Sequence, residues 1–210
     1  MLLTGENIGV KIKERVLFEN VNLSVESGTS LAIIGPSGSG KTTLLNCLGL
    51  IQKSTTGKII IGDHDYSNHA KRDVLRFWKT YAAFMYQDSG VIDEKSILYN
   101  VTLRQGKHFD KNDVGINTAL SKVGLSGREK EKAAVLSGGE KQRLGLARAI
   151  YKKASVLFAD EPTASLDEQN RLLVRDLLLT RTESGTSVII ATHDLSLAKS
   201  CDKVLDLGTY

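Results

Sequence analysis

The feature that most constrains this chain is a glycine-rich turn set between an apolar run and a helix-forming one. Gly35-Pro36-Ser37-Gly38-Ser39-Gly40-Lys41-Thr42-Thr43 follows Leu31-Ala32-Ile33-Ile34 and precedes Leu44-Leu45-Asn46-Cys47-Leu48. The pattern G-x-x-x-x-G-K-[S/T] between a buried strand and a helix is that of a phosphate-binding loop. Glycines let the backbone curl around an oxyanion with no side chain in the way. The amides of Gly38 to Thr43 are then expected to point at phosphate oxygens from the positive end of the helix. Lys41 is expected to reach the β- and γ-phosphates, and the Thr42 hydroxyl to ligate Mg²⁺. An ordinary Thr-capped glycine turn would need neither the strand nor the lysine.

The remaining periodicity places this loop in an α/β fold. Leu3 to Val10 and Val16 to Val25 read as strands around a polar turn, Lys11 to Arg15, with Val21, Leu23 and Val25 on one face. With Gly57 to Gly62 they are expected to form a small antiparallel sheet beside the nucleotide. Lys71 to Lys79 reads as a helix whose cations, Lys71, Arg72, Arg76 and Lys79, face solvent, phosphate or lipid. Ala82 to Tyr86 reads as a buried strand with Gln87 at its carboxyl end, where open α/β sheets place ligand-contacting groups. From Asp88 to Val135 strand signals thin out. Helical stretches at Ser96 to Leu103 and Asn112 to Val123 are joined by polar loops holding Gly106, Gly115, Gly124 and Gly127. The core resumes with a helix at Gly139 to Lys152 and a strand at Val156 to Asp160. A helix at Glu168 to Glu183, a strand at Ser187 to Ala191, a short helix at Leu195 to Ser200 and a strand at Lys203 to Leu207 follow. Strands alternating with helices imply a mostly parallel sheet. The expected organisation is one domain over 1–210. Residues 1–87 and 143–210 form a phosphate-loop NTPase core with its antiparallel subdomain, and 88–142 form an inserted helical lobe.

Two further stretches carry chemistry. Asp160 and Glu161 end an apolar run, Val156-Leu157-Phe158-Ala159, that is expected to lie beside the phosphate-loop strand. Asp160 can hold Mg²⁺ through water and Glu161 can polarise a water that attacks the γ-phosphate, which is most of what phosphoryl transfer asks of a protein. Pro162 alone would also explain a solvated acidic turn there. Leu136-Ser137-Gly138-Gly139-Glu140 opens a helix with Ser and two glycines, a second anion-binding helix start. Alone it is a Ser-capped helix. Two γ-phosphate sites in one chain make sense if two chains share each nucleotide.

Composition narrows the class. With 41% hydrophobic and 25% charged residues among 210, the chain is an ordinary globular protein. No apolar run approaches a bilayer-crossing length. Met1-Leu2-Leu3 gives way at once to polar residues, so no signal peptide is visible and a cytoplasmic location is expected. The net charge of +4 favours anionic partners and fits a slight surface lysine excess equally well. Cys47 and Cys201 lack ligand spacing and are expected to be buried hydrophobes.

Taken together, these motifs resemble the nucleotide-binding subunit of ATP-binding-cassette (ABC) transporters over nearly the whole chain. Gly35 to Thr43 resembles Walker A, Val156 to Glu161 Walker B, and Leu136 to Glu140 with Lys141-Gln142-Arg143 the family signature. Gln87 matches the Q-loop glutamine, Ser165-Leu166-Asp167 the D-loop, and His193 the switch histidine. The resemblance implies ATP and Mg²⁺ as cofactors. It implies a catalytic set of Lys41, Gln87, Glu161 and His193, and Thr42, Gln87 and Asp160 around the metal. It also implies a head-to-tail homodimer in which Ser137, Gly138, Gly139 and Glu140 complete the partner's site. A separate membrane permease is implied, reached through a groove near Gln87 and the lobe, with the chain peripheral on the inner face of the cell membrane. The family stacks adenine on an aromatic residue, and the matching position is about Ile12. Neither Lys11, Ile12 nor Lys13 is aromatic, and Phe18 lies further along.

Ala159 to Asp167 and the run LSGGEKQR are most similar to the lipoprotein-release and macrolide-export branch, and Val91-Ile92-Asp93-Glu94 is similar to its bacteriocin and peptide exporters. Export of a peptide, bacteriocin or lipid-like cargo is therefore expected. Two alternatives are a soluble ABC ATPase acting on nucleic acid or ribosomes and a regulator that does not hydrolyse ATP. The first would carry a long coiled coil or a second cassette, so no nucleic acid is expected as a partner. The second would not need Glu161 and His193.

Overall fold

The computed structural model describes residues 1–68, 70–103 and 113–209, so Gly106, Asn112 and Tyr210 lie outside the described residues. In chain order the strands and helices are β1 (Leu3–Ile12), β2 (Arg15–Val25), β3 (Ser30–Ile34), α1 (Lys41–Leu48), β4 (Thr56–Ile61), β5 (His64–Asp65), α2 (Lys71–Thr80) and β6 (Ala82–Met85). The second half continues with α3 (Ile97–Thr102), α4 (Val114–Lys122), α5 (Gly138–Lys152), β7 (Val156–Asp160), α6 (Glu168–Glu183), β8 (Ser187–Ala191), α7 (Leu195–Lys199) and β9 (Lys203–Asp206).

The opening strands form an antiparallel sheet of order β2-β1-β4-β5. Alternation, reset by bulges in the β1–β2 ladder, puts Leu3, Ile8, Val10, Phe18, Val21, Val25, Ile59 and Ile61 on its buried face, against Leu44, Leu45, Cys47 and Leu48 of α1. The β1–β2 turn is tighter than its polar sequence suggests. The ladder continues to the pair Ile12 and Arg15, leaving only Lys13 and Glu14 at the tip, with Lys13 at φ 55°. Polar side chains on the open ends of a half-buried hairpin look like a turn in sequence although the backbone is paired.

The second sheet is parallel, of order β6-β7-β8-β3-β9. Here one expectation fails: β7 does not lie beside the phosphate-loop strand β3, because β8 separates them. Strands buried on both faces read as the same apolar run, so sequence does not tell which neighbours which. The parallel sense still brings the carboxyl ends of β3, β6, β7 and β8 to one edge, the usual ligand edge of such a sheet. Two strand ends also differ. Tyr86 lies past β6 and is largely exposed, and the last strand stops at Asp206, with Leu207 buried in a 3₁₀ turn.

Helices α3 and α4 pack on α5, so Ile97, Val101, Ile116 and Leu120 share one core with Leu144, Ala147 and, below them, Met85 and Leu157. Asn100, fully buried, fixes the segment after β6: its Oδ1 accepts from the Ile92 amide at 2.8 Å and its Nδ2 donates to the Ile92 carbonyl at 3.0 Å. The 142/143 boundary between lobe and core falls inside the continuous helix α5. Of the cysteines, Cys47 is fully buried, its thiol pushed up to about 12 by burial, whereas Cys201 is only half-buried.

Candidate nucleotide site

The loop between β3 and α1 has the backbone its glycines predict. Gly35, Gly38 and Gly40 sit at φ 146°, 77° and 97°, left-handed values that side chains disfavour. Space is equally restrictive. A Cβ at Gly35 would stand 2.7 Å from Ser39 Oγ, and one at Gly40 would stand 2.8 Å from the Phe18 ring. Lys41 Nζ donates to the carbonyls of Gly35 at 3.0 Å and Pro36 at 3.2 Å, which holds it across the loop. Ser39 Oγ is buried without a hydrogen-bond partner among the described residues. Left-handed glycines, a lysine across their loop and an unmatched hydroxyl make a cradle that fits a polyphosphate.

Although β8 intervenes, the start of α1 and the end of β7 meet. Thr42 Oγ1 donates to Asp160 Oδ1 at 2.9 Å. Burial raises the Asp160 carboxyl, and the Thr42 hydroxyl draws it back down in part; Glu161 adds to the rise and Lys41 to the lowering. A hydroxyl and a carboxylate oxygen side by side are a donor set suited to Mg²⁺. Glu161 follows at φ 45°, a left-handed conformation for a non-glycine residue, anchored by its amide donating to the Ala191 carbonyl at 2.8 Å. That turn aims its carboxylate at the end of β8. Glu161 Oε2 lies 2.8 Å from His193 Nδ1 and accepts from Thr192 Oγ1 and the His193 amide, each at 3.2 Å. His193 is 71% exposed at its side chain against 15% for Glu161, so the carboxylate sits inside and the imidazole faces out.

Gln87 is placed at the same edge but not joined to these groups. Among the described residues its side chain makes no hydrogen bond to Thr42, Asp160 or Glu161. Its backbone is gripped instead: Gln142 Nε2 of α5 donates to the Gln87 carbonyl at 2.7 Å and to the Tyr86 carbonyl at 3.4 Å. Gln142 is 4% exposed and straps the loop after β6 to the helix that begins at Gly138. The sequence offered one clue, a glutamine within the signature run on the inward side of a helix.

The start of α5 is a complete capping box. Ser137 Oγ accepts from the Glu140 amide at 3.3 Å, and Glu140 Oε2 accepts from the Ser137 amide at 2.8 Å. Glu140, further held by an ion pair with Arg128, is therefore a structural cap in this chain. The two glycines are not equivalent. Gly139 is buried against Asn170, whose Cγ and Oδ1 would lie 2.5 Å from an added Cβ, while an added Cβ at exposed Gly138 meets nothing within 4 Å. Asn170 accepts from Arg143 Nη1 at 2.7 Å and donates from Nδ2 to Asp167 Oδ2 at 2.7 Å, tying the Asp167 turn to the signature helix. Asp167 also caps α6, accepting from the Asn170 amide, and these bonds hold its carboxyl below the usual range. Among the described residues, no hydrogen bond or ion pair links Ser137, Gly138 or Gly139 to Lys41, Thr42, Asp160 or Glu161. Ile12, at the expected base position, is 50% exposed at the end of β1.

The ABC transporter family profile matches residues 18–164. The lipoprotein-releasing system ATP-binding protein LolD of Aquifex aeolicus (strain VF5) is 37% identical over 211 residues, covering 98% of this chain and 93% of that protein. LolD of Nitratidesulfovibrio vulgaris is 38% identical over 199 residues, covering 93% and 85%. Among solved structures, the dimeric post-hydrolysis state of the ATP-binding cassette MJ0796, bound to ADP and phosphate, superimposes with a TM-score of 0.85 at 27% identity. That match covers 98% of this chain and 95% of the other.

Proposed function

This chain belongs to the ABC transporter family, and from that premise we propose how it works as the ATP-hydrolysing subunit of a transporter. The observation that carries the proposal is the meeting of Thr42 and Asp160 at 2.9 Å beside a Glu161 held by His193 at 2.8 Å. Lys41 and the amides of Gly38 to Thr43 bind the phosphates. Thr42 and Asp160 would hold Mg²⁺, with Gln87 at the end of β6 as the further residue that could reach it. When bound there, the cation would supply neutralisation of the charge that develops on the phosphate oxygens. The three contacts to Glu161 all fall on Oε2, so Oε1 is the atom that receives a proton from the attacking water. His193 and Thr192 keep the carboxylate aimed while it does so.

The second phosphate-binding helix start serves another copy. Gly138 is open to solvent and unlinked to this chain's own loop, so Ser137, Gly138 and Gly139 complete the site of a second copy in a head-to-tail dimer; that the similar cassette MJ0796 is dimeric supports this reading. Closure follows ATP binding and opening follows hydrolysis. The chain acts as one domain, with lobe 88–142, which carries the signature, moving together with the whole of helix α5. Gln142 links that movement to Gln87, and Asn170 links it to Asp167.

No helix among the described residues is long and apolar enough to cross a membrane. We place the chain at the inner face of the cell membrane, attached through a separate permease. The relatives are named for lipoprotein release, which favours an amphiphilic cargo, lipid-anchored or peptide, with the choice made by the permease. The direct test is Mg²⁺-dependent phosphate release from ATP. Glu161→Gln should retain ATP binding and lose turnover by about 100-fold or more. A wild-type protein without Mg²⁺-dependent hydrolysis would overturn the proposal.

A further inference from the structure

The base of the nucleotide has no aromatic platform at the expected place, and the structure shows what stands there instead. Ile12 faces its cross-strand partner Arg15 at the hairpin end, so the two side chains share one face of the sheet. Phe18, the aromatic residue nearest the phosphate loop in sequence, is not available. It is 1% exposed, and its ring is wedged under Gly40, 2.8 Å from where a Cβ would lie. Arg15 is exposed and reaches the loop itself: Nη2 donates to the Gly38 carbonyl at 3.4 Å. Among the described residues no carboxylate pairs with it. Glu14, next to it in sequence, is engaged by Lys11 instead. An unpaired guanidinium is thus held at the rim of the phosphate cradle, on the same face as the half-exposed aliphatic side chain of Ile12.

We propose that Arg15 is the base-binding residue of this site. Its planar guanidinium stacks on the purine, and Ile12 on the same face supplies the apolar remainder of the platform. Guanidinium planes stack on nucleobases as aromatic rings do, which a lysine ammonium cannot reproduce. The assignment rests on the nucleotide-site reading given above and names what recognises the base within it. Such a platform is indifferent to the exocyclic groups, so it grips ATP and GTP alike.

The test compares binding of ATP and of inorganic tripolyphosphate, both with Mg²⁺, by calorimetry on the full chain. Arg15→Ala should weaken ATP about tenfold and tripolyphosphate less than about twofold. Arg15→Lys should remain as weak as Arg15→Ala toward ATP, and Arg15→Tyr should recover the wild-type affinity. Two results overturn the assignment: unchanged ATP affinity in Arg15→Ala, or equal losses for both ligands that Lys restores, which would make Arg15 a phosphate counter-charge. Lys41→Ala is the control for the site. If it binds both ligands as well as wild type does, the nucleotide-site reading itself fails and the Arg15 assignment falls with it.

Discussion

The two signature glycines allow stability and catalysis to be separated by one methyl group. At Gly139 an added Cβ would sit 2.5 Å from Asn170 Cγ and Oδ1 and 3.0 Å from its Cβ, so the Asn170 side chain must leave. Its departure breaks the Arg143 and Asp167 contacts, both 2.7 Å and both to charged groups. Partial exposure puts their joint loss near 2 kcal/mol, and the better helix propensity of Ala returns up to about 1 kcal/mol. Gly139→Ala should therefore lose about 1–2 kcal/mol, a fall of roughly 2–8 °C in Tm for a chain of this length. Gly138 has no such neighbour and an ordinary helical φ. Gly138→Ala should be unchanged or stabilised by up to about 1 kcal/mol. If the helix start serves a partner's phosphates as proposed, its ATPase should nevertheless fall at least tenfold, because the methyl would stand in their approach. Urea unfolding and phosphate release on the same preparations give both numbers. Gly138→Ala with full activity would refute the trans-acting role of this helix start. Gly138→Ala melting several degrees low would show that its face is packed within the chain.

Further outcomes follow from the contacts around the site. Gln142→Leu keeps bulk but releases the Gln87 and Tyr86 carbonyls, so ATP binding should persist while turnover falls severalfold, measured as KM against kcat. Asp202 accepts from the amide and hydroxyl of buried Ser30 at 2.8 and 2.6 Å, which holds its carboxyl below 3.8. A lowered carboxyl stabilises the fold above its unfolded pKa, and that contribution is lost as pH falls through the folded value. Asp202→Ala should thus cost about 1 kcal/mol at pH 7, and the gap to wild type in urea melts should close below pH 3.8. Glu161→Gln should dissolve none of the fold, since Gln still accepts from Thr192 and the His193 amide, and a Tm drop beyond a few degrees would contradict the bonding described here.

Much of the site was legible because its motifs are local. The loop at Gly35 to Thr43, the strand ends at Asp160 and Ala191 and the start of α6 depend on contiguous residues, and these lie where the pattern puts them. What sequence did not carry depends on three-dimensional neighbours. The placement of β8 between β7 and β3 is invisible in apolar runs that read alike. The hairpin tip at Lys13-Glu14 was masked by charged residues that remain paired as strand. Glu140 looked like part of a binding helix start and is also a cap: its bonds to Ser137 follow a local Ser-x-x-Glu spacing that sequence does show, whereas its ion pair with Arg128 comes from a separate loop. Gln142 and Asn170 were missed since a buried amide announces its role only through the carbonyls and carboxylates it meets.

The measurement that bears most directly on the central claim, that two chains complete each nucleotide site, is complementation. Lys41→Ala removes the phosphate counter-charge from one chain, and Ser137→Arg blocks the helix start of the other. Each variant alone should be inactive. Mixed in equal amounts, they form a dimer in which the loop of the Ser137→Arg chain faces the intact Ser137 of the Lys41→Ala chain. ATPase activity should therefore return on mixing and rise with protein concentration. No recovery on mixing, together with wild-type turnover per chain that is independent of concentration and monomeric scattering in ATP, would contradict the shared site.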